Sequence, residues 1–145
     1  VKLVDAFNVA AGVHAGQVDK AGAAYIEHPV RVMLRLPADA TDAEKMAALL
    51  HDALEDGDPY TLQILKASGA TAELLEMLDA LTRGPVEPYC EYLLRVARST
   101  AVRVKIADIQ DNMDPQRLSQ LPEELADKFR TKYARAIEIV NKEKA

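Results

Sequence analysis

Apolar residues recur along this chain at spacings of three and four, and nowhere alternate strictly over the length of a strand. Leu3, Ala6, Phe7, Ala10, Ala11 and His14 share one side of a helix expected from Val1 to about His14. Gly16 to Gly22 reads as a polar loop containing Lys20. Pro29 suits the first position of a second helix, where a missing N–H costs nothing. That helix runs through Val30, Val32, Met33 and Leu36 and stops near Pro37.

The strongest stripe comprises residues 43, 46, 47, 50, 53 and 54. It predicts a continuous central helix, capped by Thr41 or Asp42 with Glu44 in the first turn and ended by Gly57. Pro59 starts the next helix, which reaches Ser68-Gly69. Further helices are expected over 71–81, 88–97 and 100–113, the last broken by Pro115. A final helix over about 123–141 would bury Leu125, Phe129, Tyr133, Ala136, Ile137 and Val140. With no repeat and no dividing linker, the pattern predicts an all-α single domain over residues 1–145.

Composition narrows the class. Forty-nine per cent hydrophobic and 28% charged residues are ordinary for a globular domain of 145 residues. A net charge of −5 argues against coating nucleic acid or an anionic membrane. Cys90 is the lone cysteine, so no intrachain disulfide forms and a reducing, cytoplasmic setting is expected. There is no signal peptide and no apolar run of transmembrane length. The sequence opens on Val1 rather than methionine, as an N-terminally trimmed chain would.

On a continuous central helix, His51, Asp52, Glu55 and Asp56 occupy one sector roughly opposite the apolar stripe. Either this is a solvated face, or it holds a metal with a water beside it. Asp108 is the second informative carboxylate. The main apolar face of its helix is Val102, Ile106, Ile109 and Met113, while Ala101 and Val104 flank Asp108 itself. A carboxylate so placed needs a partner, either a cation or a lysine such as Lys105. His28, just before Pro29, is a third candidate, or simply a capping residue. Two imidazoles and two carboxylates suit Mn2+, Fe2+ or Zn2+, the first two favoured where positions stay open for water and substrate oxygens. Glu55 and Asp56 would orient or deprotonate that water.

These residues fall in a recognisable order: His14-x-Gly16, Lys20-x-Gly22, Tyr25-Ile26-x-His28-Pro29, Leu50-His51-Asp52-x-x-Glu55-Asp56, and Lys105-x-Ala107-Asp108-x-x-x-Asn112. The series resembles the HD-domain phosphohydrolases, and more narrowly the hydrolase half of RelA/SpoT-type alarmone enzymes and the stand-alone small alarmone hydrolases. The match runs from about residue 7 to residue 115. The resemblance implies an HD-type helical bundle with His28, His51, Asp52 and Asp108 as manganese ligands. It implies Glu55 and Asp56 as the pair that activates water, Lys20 as a phosphate contact and Asn112 as a residue lining the nucleoside pocket. His14 and Tyr25 match positions near the cleft, and packing in the core is an equal reading of His14. The implied reaction is removal of the 3′-pyrophosphate from a guanosine or adenosine tetra- or pentaphosphate, the (p)ppGpp and (p)ppApp alarmones. Its partner is thus a small phosphorylated nucleotide.

Three departures bear on the base. Asp19 stands where the family carries an arginine that holds the purine, Ile109-Gln110-Asp111 replaces Arg-Leu-His, and Gly57 replaces a threonine. A carboxylate at 19 would accept from the six-amino group of adenine and repel the oxo group of guanine, so weaker guanosine discrimination is expected. A phosphatase acting on a nucleoside mono- or triphosphate or on NADPH stays open, as does a nucleotide-binding module without turnover. Independently of the family, Lys128, Lys132 and Arg135 lie on one face of the last helix. They form either a phosphate clamp at the cleft mouth or a solvated face paired with Asp127 or Glu138. Arg83 is a candidate of the same kind.

Overall fold

The computed structural model describes residues 1–56 and 60–144, without the side chain of Asp56. Among these residues ten helices form and no strand, beyond one isolated bridge between Val18 and Ala24. They are α1 (Leu3–Val13), α2 (Glu27–Leu34), α3 (Asp42–Leu50), α4 (Ala53–Asp56), α5 (Thr61–Ala67), α6 (Ala72–Leu81), α7 (Tyr89–Ala97), α8 (Val102–Asn112), α9 (Pro115–Leu118) and α10 (Glu123–Glu143). The all-α expectation holds.

α3 is the centre. Of the two caps expected, Thr41 is the one used, and with Glu44 it forms a capping box, each side chain bonding the other's backbone N–H at 3.0–3.1 Å. α1, α2, α6 and α8 all pack on α3, while α10 covers α7 and α8. Ala47, Ala48, Leu49 and Leu50 are all buried, so the helix is enclosed rather than striped. Around it Val32, Leu65, Leu74, Leu78, Leu93, Val96, Val104, Ile109 and Val140 close a single core cluster.

The central helix departs from expectation at His51. α3 ends at Leu50, His51 and Asp52 form a turn, and α4 resumes at Ala53. The Ala48 carbonyl, which residue 52 would engage in a continued helix, instead accepts from His51 Nδ1 at 2.6 Å. The expected helix end at Gly57 and start at Pro59 lie outside the described residues. Pro29 occupies the third position of α2 rather than the first, still within the turn whose N–H groups need no intrahelical partner. Pro115 ends α8 but also opens α9, with Asp114 accepting from Gln116 N as its cap.

α8 also faces differently from its expected orientation. Val104, Ala107, Asp108, Ile109 and Asp111 are buried, whereas Val102, Ile106 and Met113 are half-buried. Two carboxylates therefore point inward against α2, three residues apart and on one face.

Candidate metal centre

His28 enters from the first turn of α2, His51 and Asp52 from the turn between α3 and α4, and Asp108 from the middle of α8. Their side chains converge. His28 Nε2 lies 2.9 Å from Asp108 Oδ1 and 3.7 Å from Asp52 Oδ2. His51 Nε2 lies 3.2 Å from Asp52 Oδ2 and 3.3 Å from Asp108 Oδ1. Ligand atoms about 2.1 Å from a shared cation stand roughly 3 Å from one another, the spacing seen here.

The outer nitrogens are pinned. His28 Nδ1 lies 2.7 Å from Asp111 Oδ2, and His51 Nδ1 donates to the Ala48 carbonyl. An acceptor on the outer nitrogen of each imidazole is what fixes a ligating ring and turns its other nitrogen toward a metal. His51 Nε2 is buried and makes no well-aligned hydrogen bond, an orphaned polar atom that a cation would satisfy. The donor set and this orphan fit a divalent metal held by N and O ligands.

The electrostatics agree. Burial opposes charge on His51, but Asp52 and Asp108 outweigh it and hold the imidazole well above its ordinary range. Burial raises Asp52, and the charge of His51, 3.2 Å away, brings it down to about 2. Asp108 is likewise held well below the carboxylate range despite burial, chiefly by Lys105 and His51. Imidazole protons and a cation are thus alternatives for the same carboxylate oxygens.

This cluster forms part of the lining of a cavity of about 580 Å³, a size suited to a small molecule. Lys20, Tyr25, Glu55, Arg83, Lys105, Asn112 and Lys132 line it too. Tyr25 Oη donates to Asp52 Oδ2 at 2.7 Å, and Asn112 Nδ2 to Asp108 Oδ1 at 3.3 Å. Glu55 is exposed, its Oε1 accepting from Arg83 N at 3.2 Å. The side chain of Asp56 lies outside the described residues.

Elsewhere on the cavity lining, cations sit on aromatic rings. Lys132 Nζ is 5.0 Å from the Tyr89 centroid and 5.2 Å from that of Tyr133, and Arg83 is 5.4 Å from Tyr89. Lys20 Nζ lies 4.6 Å from Phe129. Burial around the Lys132 ammonium lowers its pKa first, then the positive charges of Lys105, Lys20 and Arg83. The cavity has a surplus of positive charge on this side.

Lys128 is exposed and is not among the lining residues. The sector of α10 turned to the cavity is Phe129, Lys132 and Tyr133, and at ~100° per residue Lys128 falls beyond its edge. Arg135 is exposed as well and does not line the cavity. His14 is buried 4.9 Å from the Tyr25 ring, with Nδ1 against Gln17 Oε1, and packs behind the cavity. Asp19 lines the cavity but is engaged: Oδ1 accepts from Ala21 N and Ala23 N, and Oδ2 from Arg117 Nη2 at 3.3 Å. Arg117 brings to this corner the guanidinium that position 19 lacks.

Asp111 and Arg117 escaped the sequence reading. Asp111 is fully buried and also accepts from Arg31, Arg35 and Arg117. The one signal available was its spacing of three from Asp108.

No protein-family model matches the chain. Curated relatives do. The guanosine-3′,5′-bis(diphosphate) 3′-pyrophosphohydrolase of Haemophilus influenzae is 34% identical over 117 residues, covering 72% of this chain and 17% of that protein. The chain is similar to alarmone pyrophosphohydrolases. The bifunctional (p)ppGpp synthase/hydrolase SpoT of Escherichia coli K12 is 33% identical over 124 residues, or 77% of this chain and 18% of its own length. The pyrophosphohydrolase of Aquifex aeolicus bearing the same name as the first is 34% identical over 116 residues, 74% of this chain and 17% of its own. The chain thus spans under a fifth of the length of the relatives it matches.

Proposed function

We propose that this chain is a metal-dependent nucleotide pyrophosphohydrolase that removes the 3′-pyrophosphate of a (p)ppGpp- or (p)ppApp-type alarmone. The observation that carries the reading is the convergence of His28, His51, Asp52 and Asp108 on one point, with both imidazoles braced from behind, in a cavity rich in cations and aromatics. The relatives' names supply the substrate class, and the hydrolase half of a synthase/hydrolase name suits a His/Asp centre.

His28, His51, Asp52 and Asp108 would hold the metal, with Mn2+ favoured over Fe2+ or Zn2+ for this N/O set. When bound, the cation supplies Lewis acidity and acidifies a water molecule. The chain does the rest. Lys20, Arg83 and Lys132 neutralise phosphate oxygens, Asn112 lines the nucleoside side, and the aromatic wall excludes water from the leaving pyrophosphate. Tyr25 lines the substrate side of the cavity and holds Asp52 in place through its hydroxyl. Glu55, fixed at the rim by Arg83 N and joined by Asp56, accepts the proton of the attacking water. A soluble cytoplasmic enzyme acting on a small nucleotide, and not on nucleic acid, completes the proposal. Among the described residues no helix is long and apolar enough to cross a membrane.

The test is a pyrophosphate-release assay on chelator-stripped protein reloaded with Mn2+, Fe2+ or Zn2+. The panel includes guanosine and adenosine 3′-pyrophosphates, nucleoside mono- and triphosphates, and NADPH. Release from the 3′-pyrophosphates that depends on metal is expected, with about one Mn2+ per chain, lost in His51→Ala. Turnover confined to the other nucleotides, or full activity of His51→Ala under chelation, would overturn it.

A further inference from the structure

We propose that Asp111 is the positioning residue of the metal centre, setting the ring of His28 so that its Nε2 faces the cation. The proposal rests on the metal site described above but not on the choice of substrate. Asp111 lies one turn beyond Asp108 on α8, so the two carboxylates straddle one imidazole: Asp108 Oδ1 meets Nε2 at 2.9 Å and Asp111 Oδ2 meets Nδ1 at 2.7 Å. A carboxylate that accepts from Nδ1 keeps the proton there and leaves Nε2 as the donor atom for a metal.

Asp111 is itself held rigidly. It is fully buried, and both of its oxygens are committed. Oδ1 accepts from Arg31 Nε at 3.0 Å and Arg35 Nε at 3.1 Å. Oδ2 accepts from Arg117 Nη1 at 2.9 Å beside the bond to His28. Guanidinium groups compensate a charge that burial alone would not tolerate. They also divide the work. Arg35 touches Oδ1 alone and joins α2 to α8, the imidazole and Arg117 use Oδ2, and Arg31 Nε spans both, 3.2 Å from Oδ2. A carboxylate needed only to tie these helices together would have no reason to meet a candidate metal ligand on its rear nitrogen.

Two measurements on chelator-stripped protein test this without nucleotide. In 1H–15N spectra of the wild type, His28 should show a slowly exchanging Nδ1 proton. Its absence overturns the proposal whatever the variants do. Mn2+ titration followed by electron paramagnetic resonance should show affinity for Asp111→Asn lowered about 10- to 100-fold. Arg35→Gln, which on Asp111 disturbs the Oδ1 side alone and also frees Asp114, should lose thermal stability while keeping Mn2+ affinity within about twofold, a factor small against that range. If Asp111→Asn does not fold, the charge-balanced Asp111→Asn/Arg35→Gln pair is compared with Arg35→Gln alone. Equal Mn2+ affinity in that comparison would reduce Asp111 to a structural tie. Failure of the substrate reading leaves these results unchanged. A wild type that binds no Mn2+, Fe2+ or Zn2+ removes the centre, and the positioning role with it.

Discussion

Lys105 Nζ stands 2.8 Å from Asp108 Oδ2, the oxygen turned away from the two imidazoles. Both residues are buried, and Lys105 also lies 5.0 Å from the Tyr92 ring. A lysine and a cation were alternative partners for Asp108 on sequence grounds, and the geometry gives Oδ2 to the lysine while Oδ1 faces the two imidazoles. Lys105→Met leaves Asp108 buried with its Oδ2 unpaired. Stability of the metal-free protein should fall by about 3 kcal/mol, the scale for breaking a buried pair by removing one member. Urea unfolding measures it, and a loss below roughly 1 kcal/mol, the exposed-pair scale, would mean that water replaces the ammonium.

Glu55 offers a cleaner separation of chemistry from folding. It sits exposed at the cavity rim, where its Oε1 accepts from Arg83 N at 3.2 Å. Glu55→Gln keeps the acceptor for Arg83 N but removes the base. Turnover should drop by about 10² with Mn2+ content and melting temperature unchanged. Unchanged turnover would shift the role of base to another group, and pairing the substitution with Asp56→Asn would show whether Asp56 is that group.

Much of the fold was legible because the apolar spacing and the end signals act locally. Thr41 with Glu44, Pro115, Gly69 and Gly84 marked helix ends without any knowledge of neighbours. The break at His51 was not legible, because it depends on a side chain taking a carbonyl from its own helix, a choice no hydrophobic pattern records. The orientation of α8 was misread for a related reason: ion pairing with α2 outweighs the preference for burying Ile106 and Met113. His28, His51, Asp52 and Asp108 were singled out through motif order, and the fold brings their side chains together. Asp111 was missed because an aspartate among Gln110 and Asn112 resembles a solvated helix face until Arg31, Arg35 and Arg117 arrive from elsewhere in the chain.

Glu44 links the capping box of α3 to α8. It accepts from Arg103 at 2.7 Å through each oxygen while capping Thr41 N at 3.0 Å. Arg103 is the first cause of its lowered pKa, with burial opposing. A carboxyl whose folded pKa lies below its unfolded value of 4.5 stabilises the fold fully above that value. The contribution is lost as pH falls through the lower, folded pKa. Glu44→Gln should therefore be less stable than the wild type by about 2 kcal/mol at neutral pH, the scale of charge-assisted hydrogen bonds. The gap should narrow as pH drops below 4.5. Denaturant titrations of both proteins across that window test it. A gap that stays constant down to strongly acidic pH would assign the loss to packing instead of charge.

Position 19 is where the chain departs from the enzymes it resembles, and in the structure its carboxylate is already engaged. Asp19 does not stand open to an exocyclic amine. Its Oδ1 closes the 19–23 loop through two backbone N–H groups, and its Oδ2 holds Arg117. Its pKa is lowered by these bonds against the effect of burial. Asp19→Asn keeps an acceptor for the loop and weakens only the grip on Arg117. The ratio of kcat/KM for matched guanosine and adenosine 3′-pyrophosphates should then stay within about twofold of wild type, far below the 10-fold that 1.4 kcal/mol of discrimination produces. Asp19→Arg should depress both substrates together, since it removes the loop acceptor and sets two guanidinium groups against each other at one corner of the cavity. A shift of roughly 10-fold or more toward guanosine in Asp19→Asn would return the reading of the base to Asp19 itself.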